Sequence, residues 1–120
     1  MFNIWLKFII YGYDFRKDDM FYILDGNNPY FLPSFRLKQI DLENSINYEI
    51  KEFVKQYIDV DVDWLDIKVK DIEKIYDKVF ITYEVEIPGD LLVLKGTRIY
   101  RREVMSNNKL VSDHKVLQWI

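Results

Sequence analysis

The chain has 120 residues, of which 49% are hydrophobic and 17% are aromatic, and this length suits one compact domain spanning residues 1–120 rather than two independent cores. The formal net charge of -3 does not supply the overall positive field of a general nucleic-acid binder. The chain contains no cysteine, which excludes disulfides, thiolate metal sites and a cysteine nucleophile, and favours a cytoplasmic location.

The apolar N-terminal stretch, residues 4–10, does not have the features of a targeting segment. Lys7 interrupts it, and no small-residue cleavage site follows. It is also shorter than the roughly 20 apolar residues that a membrane helix needs. We therefore expect neither a signal peptide nor a membrane partner.

The first part of the chain has the composition of β-strands. Residues 2–15 and 20–24 are rich in β-branched and aromatic side chains, and the charged residues 16–19 between them predict the turn of a hairpin. Strong turn formers occupy residues 25–29, and residues 30–37 predict a short strand that Pro33 interrupts.

From Asp41 the periodicity changes to that of a helix. Asp41 is placed to cap the first turn, and the pattern predicts a helix of about four turns that ends near Ile58. The apolar residues that recur at helical spacing are Leu42, Ile46, Ile50, Phe53, Val54, Tyr57 and Ile58.

The remaining chain alternates between apolar and polar residues in two runs, residues 67–69 and 79–87, which predict two strands. We expect another strand over residues 91–104, with Gly96 as a bulge or kink, and a short C-terminal helix from Ser112. This order predicts an α+β fold: a mixed β-sheet, one long helix after the third strand and a short C-terminal helix.

The region of the long helix resembles the signature of the Nudix hydrolase family: Gly, five residues, Glu, seven residues, Arg-Glu, an aliphatic, any residue, Glu-Glu, any residue, Gly, an aliphatic. The resemblance covers residues 32–58 at the level of motifs, and Leu-Pro-Ser-Phe at residues 32–35 stands where the family usually has Leu-Pro-Gly-Gly. The helix residues that fall in register are Leu42, Glu43, Glu49, Ile50 and Glu52. The resemblance implies a Nudix-like mixed sheet over most of the chain.

The same resemblance implies a chemistry that this sequence carries only in part. The family hydrolyses nucleoside diphosphate derivatives with Mg²⁺ held by clustered carboxylates. Glu49 and Glu52 retain two of those positions, whereas Phe53 stands at the second Glu of the Glu-Glu pair. Other functional positions also differ: Tyr48 for Arg, Ser34, Phe35 and Lys55 for glycines, and Ile40 near the first Glu, with Asp41 as the nearby substitute. The box is therefore degenerate, and we expect no cofactor and no catalytic residues.

Several other residues are candidates for binding. Arg98 and Arg101, with Lys95 and Arg102, could contact phosphate or an acidic partner, although strand alternation would put Arg101 and Arg102 on opposite faces. Tyr30 and Phe35 belong to an aromatic group suited to bases or to a protein interface. The single histidine, His114, is more typical of a surface residue than of a metal ligand. The acidic stretch of residues 59–66 is more typical of a strand or turn than of a metal site.

The leading hypothesis is a non-catalytic Nudix-fold protein that binds another protein, or copies of itself, within a larger assembly such as a virus particle. One alternative is a divergent Mg²⁺-dependent hydrolase of nucleoside diphosphate derivatives, with Glu49, Glu52 and either Asp41 or Glu84 as ligands. Another is a sensor that binds a nucleotide without turnover.

Overall fold

The computed structural model describes residues 3–25, 31–37, 45–59, 61–88 and 93–106. They form one six-stranded sheet with two helices and a single 3-10 turn, Val62–Trp64. In chain order the elements are β1 Asn3–Asp14, β2 Asp19–Leu24, β3 Ser34–Arg36, α1 Ser45–Lys55, β4 Ile67–Ile75, β5 Lys78–Glu86, β6 Thr97–Tyr100 and α2 Arg101–Ser106. Neither described helix is long and apolar enough to cross a membrane.

The sheet is mixed, which confirms the predicted α+β class. Its strand order is β4-β5-β1-β2-β6, and β3 pairs with β1 beside this path. The predicted hairpin is confirmed, because β1 and β2 pair antiparallel from Tyr11 opposite Tyr22 to Asp14 opposite Asp19. The long parallel contact joins β1 to β5, from Asn3 opposite Lys78 to Tyr11 opposite Glu86.

The two faces of β1 have different partners because side chains alternate along a strand. Leu6, Phe8 and Ile10 belong to the core that includes Ile50 and Val54 of α1, so this face of the sheet is the one that the helix covers. The opposite face contributes Ile9 to a second buried cluster, with Tyr22, Leu24, Leu32 and Ile99. The sheet therefore separates two apolar layers.

Helix α1 ends at Lys55, so the prediction that it reaches Ile58 is wrong. The amide N–H of Tyr57 donates to the carbonyl of Val54 at 3.0 Å, which closes a turn. Ile58 then forms an antiparallel bridge with Val93, and the N–H of Leu94 donates to the carbonyl of Tyr57 at 2.8 Å. Pairing with a distant segment thus overrides an apolar spacing that is still helical.

The predicted strand over residues 91–104 is also wrong in extent. Within its described residues, 93–104, only Thr97–Tyr100 is a strand, and helix α2 begins at Arg101. The carboxylate of Asp19 accepts the N–H of Arg102 at 3.2 Å, which satisfies an amide in the first turn of α2. Gly96 has a φ of +89° just before β6, as expected of a glycine at a bend. The C-terminal helix predicted from Ser112 lies outside the described residues.

Strands β4 and β5 form a hairpin whose loop is Tyr76 and Asp77, with Tyr76 at a φ of +56°. The register shifts between Val69 and Asp71, so Lys70 is the extra residue of a β-bulge. The predicted strands at residues 67–69 and 79–87 are therefore confirmed, and the first extends to Ile75.

We predict that Phe8→Ala lowers the free energy of unfolding by about 3–5 kcal/mol, because the substitution leaves a cavity in a packed core. Phe8 has no solvent exposure, and its ring packs against those of Phe35, Phe53 and Tyr83. Phe15→Ala is the matched control, since Phe15 is 85% exposed, and its effect should stay within about 0.5 kcal/mol. Urea denaturation followed by fluorescence measures both, and equal effects would contradict the described core.

Candidate functional site

Helix α1 presents different faces to the core and to solvent. Ile50 and Val54 are buried against the sheet, while Tyr48 and Glu52 are exposed. This division follows from the period of 3.6 residues, which brings residues three and four apart to one side. The helix thus keeps the apolar face that the sequence predicted.

Phe53 lies in an aromatic cluster, which we define as Phe8, Phe35, Phe53, Tyr57 and Tyr83. The centroid of its ring is 4.8 Å from that of Phe35, 5.0 Å from that of Phe8 and 5.2 Å from that of Tyr57. These separations lie in the range of favourable aromatic pairs. Phe53 is therefore partly buried and packs against the core, at the position where the Nudix signature has a carboxylate.

The aromatic cluster is a poorly hydrated environment. Burial, followed by the negative charge of Asp25, raises the pKa of Tyr57 to about 12. Burial also raises the pKa of Tyr83. A carboxylate placed among these rings would lose hydration, which disfavours its charged form.

Glu49 and Glu52, the two glutamates retained from the signature, lie in different environments. Glu49 is half-buried, and its Oε2 atom has neither solvent contact nor a hydrogen-bond partner among the described residues. Glu52 is exposed. Magnesium needs several hard oxygen ligands in near-octahedral geometry. Within the described ranges, no group of three or more Asp, Glu, His or Cys side chains could hold a metal ion. The described donors therefore do not fit the Mg²⁺ site that the resemblance implies.

Glu84 cannot complete that set, because the sheet separates it from α1. In the parallel register Tyr83 is opposite Phe8, on the face that the helix covers, whereas Glu84 is opposite Ile9 on the other face. There the Oε2 atom of Glu84 is 3.8 Å from Nζ of Lys70. Asp41, the third carboxylate considered from the sequence, lies outside the described residues.

Arg98 belongs to a cluster that ties β6 to the first hairpin. Its guanidinium carbon lies 4.2 Å from the centroid of the Phe21 ring, and its Nη1 atom is 4.0 Å from Oδ2 of Asp14. The hydroxyl of Tyr100 donates to the same carboxylate oxygen at 2.8 Å. Arg98 is thus held by contacts inside the domain.

Arg101 and Arg102 lie in the first turn of α2, so the prediction that strand alternation separates them is wrong. Arg101 is exposed, with its Nη1 atom 3.8 Å from the sulfur of Met20. The Nε atom of Arg102 is 3.8 Å from the carboxylate of Asp19, and its Nη2 atom donates to the carbonyl of Asp18 at 3.3 Å. These contacts hold α2 against the turn between β1 and β2.

The acidic stretch after α1 is used in local structure. The carboxylate of Asp61 accepts the N–H of Asp63 at 3.1 Å, and Asp63 pairs with Nζ of Lys51 at 2.7 Å. The hydrogen bond from Lys51, with its positive charge, holds the pKa of Asp63 below its usual value.

Beside the contact between Lys51 and Asp63 is a surface cavity of about 550 Å³, lined by Asn47, Ile50, Lys51, Leu65, Asp66, Ile67, Val69 and Tyr83. Neither Glu49 nor Glu52 lines it.

Phe35 is half-buried in the aromatic cluster, while Tyr30 and His114 lie outside the described residues. The structure therefore does not bring Arg98, Arg101 and Phe35 together: the arginines adjoin the first hairpin, and Phe35 packs against α1.

Sequence reasoning missed an exposed apolar set along β4, where Val69 is 54% exposed, Ile72 65% and Ile75 43%. A signal was present, since three apolar residues stand among charged ones.

Comparisons with known proteins agree with the fold. No protein-family model matches the chain, and no curated protein matches its sequence. Among solved structures, the chain is similar to the NUDIX domain of Shewanella oneidensis NrtR complexed with ADP ribose, with a TM-score of 0.61 and 11% identity over 98% of this chain and 84% of that one. It is also similar to the E. coli dihydroneopterin triphosphate pyrophosphohydrolase, with a TM-score of 0.56 and 10% identity over 98% of this chain and 93% of that one. The chain therefore has a Nudix-like fold, as the helix motif predicted.

We predict that Phe53→Glu lowers the free energy of unfolding by about 2 kcal/mol or more, because it removes ring packing and places a carboxylate among aromatic rings. Phe53→Leu keeps most of the apolar volume and should cost less than about 1.5 kcal/mol. Chemical denaturation at neutral pH measures the two variants side by side. A Phe53→Glu protein as stable as wild type would show that this position tolerates the carboxylate of the signature.

We also predict a pH-dependent effect of Tyr100→Phe. The hydrogen bond from Tyr100 is the main reason that the pKa of Asp14 lies below its usual 3.8. A lowered pKa in the folded state stabilises the protein above the unfolded-state value, and this contribution is lost as the pH falls through the folded-state value. Tyr100→Phe should therefore raise the pKa of Asp14 towards 3.8 and weaken the acid dependence of stability. NMR titration of the Asp14 carboxyl carbon tests this, and an unmoved pKa would contradict it.

Proposed function

We propose that this chain is a non-catalytic Nudix-fold domain that binds another protein within a larger assembly. The packing of Phe53 carries the proposal. Its ring lies 4.8 Å from that of Phe35 and 5.0 Å from that of Phe8, where the signature has a metal-binding glutamate. A phenyl ring offers no oxygen ligand to a cation. Its packing stabilises the fold instead.

The environments of the two retained glutamates support the same proposal. Metal-assisted hydrolysis requires carboxylates that converge on one ion and a water that the ion activates. Glu49 has a buried oxygen without a partner in the described part of the chain, and Glu52 is exposed. Neither lines the surface cavity next to α1, where Asp66 is the one carboxylate among the lining residues.

Exposed apolar side chains support the proposal that the domain binds another protein. Val69 and Ile72 of β4 are each more than half exposed, and Trp64 and Tyr76, on either side of this strand in the sequence, are 85% and 92% exposed. Apolar and aromatic surface of this kind is typical of protein interfaces. A virus particle is one assembly that would use such a domain; detecting the chain in purified particles would test this narrower form.

A nucleotide sensor is the second candidate. The NUDIX domain of Shewanella oneidensis NrtR was solved as a complex with ADP ribose, and this chain shares its fold at a TM-score of 0.61. Such a domain would need to bind a nucleotide derivative but not cleave it. Binding would appear as a ligand-dependent rise in melting temperature without product.

We predict no hydrolysis of ADP-ribose or of other nucleoside diphosphate derivatives in the presence of Mg²⁺ or Mn²⁺, because the described carboxylates do not converge. Product formation followed by chromatography measures this, with an active Nudix hydrolase as the positive control. Glu52→Gln is the matched variant. Metal-dependent turnover by the wild type that Glu52→Gln abolishes would overturn the non-catalytic proposal, whereas turnover shared equally by both proteins would indicate a contaminant.

A further inference from the structure

The outer edge of β4 is unpaired within the described part of the chain. The sheet order ends at β4, whose neighbour is β5. An edge strand of nine residues presents backbone N–H and C=O groups that can pair with another strand. Val69 at 54% and Ile72 at 65% exposure add apolar side chains to this edge. Edge pairing would therefore remove both backbone groups and apolar surface from water.

The bulge at Lys70 determines which side chains of β4 share a face. Val69 is opposite Tyr83 and Ile72 is opposite Ile81, and alternate residues of β5 lie on one face. Val69 and Ile72 therefore share the face that α1 covers. In the same way Lys68, opposite Glu84, and Glu73, opposite Phe80, share the other face. Without the extra residue, each of these pairs would be split between the two faces.

The central part of β4, residues 68–73, is complementary to itself when it is read in opposite directions from the point between Lys70 and Asp71. Lys70 then meets Asp71, Val69 meets Ile72, and Lys68 meets Glu73. Each pair consists of opposite charges or of two apolar side chains, and such cross-strand pairs stabilise antiparallel strands. The shared faces set by the bulge allow these pairs to form.

We propose that two copies of this chain pair antiparallel through their β4 strands, about a two-fold axis between Lys70 and Asp71. A two-fold axis repeats every contact, so Lys68 of each copy faces Glu73 of the other. Val69, which lines the surface cavity beside α1, is covered by Ile72 of the second copy. The sheets of the two copies become one continuous sheet. The dimer rests on the proposed function in one respect: it takes the protein that the domain binds to be a second copy of this chain.

Lysines and bulges on an edge strand also serve to prevent edge-to-edge pairing. They do so when like charges or mismatched faces meet. On β4 the antiparallel register brings lysines opposite acidic residues instead. The contacts that these lysines make within the chain are weak competitors: Lys68 and Asp66 pair at 3.1 Å with exposed side chains, and Nζ of Lys70 is 3.8 Å from Glu84. Charge complementarity thus favours a second copy over an unrelated apolar strand.

Charge reversal provides the test, with sedimentation velocity over a range of protein concentrations as the measurement. The wild type should show a monomer–dimer equilibrium. Lys68→Glu places two glutamates together across the interface, and Glu73→Lys places two lysines together. Each variant should raise the dimer dissociation constant by about tenfold or more, since the two-fold axis repeats the repulsion. Lys74→Glu is the matched control, because the same strand carries the same charge change opposite Ile67, and its effect should be small.

Two combinations distinguish lost pairing from lost folding. The double variant Lys68→Glu with Glu73→Lys restores opposite charges and should dimerise like the wild type. A mixture of the two single variants should form a heterodimer, since opposite charges then replace the like charges of each homodimer at both of the repeated contacts, without a change in fold. Hydrogen exchange of the wild type gives an independent readout: amides in residues 67–75 should become more protected as the protein concentration rises.

A wild type that stays monomeric at every concentration, with no added protection in β4, would overturn the dimer. So would a wild-type dimer that both single variants form equally well. Neither result would bear on the predicted absence of hydrolysis, which the metal-dependent assay tests separately. Conversely, turnover abolished by Glu52→Gln would overturn the non-catalytic proposal and leave the dimer intact.

Discussion

The parallel pairing of β1 with β5 positions the other elements of the domain, because it places one strand pair between two apolar layers. Leu6, Phe8 and Ile10 face the layer that contains α1, and Ile9 faces the second buried cluster. Parallel strands need a long crossover connection, and α1 lies within the segment that connects these two. The helix is consequently held over one face of the sheet. Glu84 lies on the other face, out of reach of the glutamates on the helix.

The elements that depend on local sequence were predictable, while those that depend on distant partners were not. The first hairpin follows from β-branched strands on either side of a charged turn, and α1 follows from its helical period. The end of α1 depends instead on Ile58 bridging to Val93, and the start of α2 depends on Asp19 accepting the N–H of Arg102. No window of neighbouring residues contains both partners of either contact. The same limit applies to the candidate site, because Arg98 appeared available in sequence but is engaged with Asp14 and Phe21.

The signature helix shows how a motif can retain its register while a metal-binding position is given over to packing. Ile50 and Val54 still pack against the sheet, so the fold has not changed around the altered positions. Phe53 adds its ring to that core in place of a hydrated carboxylate, and it lies near the phenol of Tyr57, whose pKa burial and then Asp25 raise to about 12. A low-dielectric environment favours ring packing and disfavours an unpaired negative charge. Fold and metal binding therefore make opposite demands on this position, and the packing satisfies the fold.

Strand β4 shows that one inserted residue can decide where an apolar surface forms. Val69, Ile72 and Ile75 are three residues apart, a spacing that by itself suits a helix better than a strand. Pairing with β5 makes the segment extended, and the bulge at Lys70 then puts Val69 and Ile72 on one face while Ile75, opposite Lys78, falls on the other. Neither the helical period nor strict alternation describes this pattern. The sequence therefore pointed to Arg98 and Phe35 as binding residues, because the β4 surface can be identified only when the register with β5 is known.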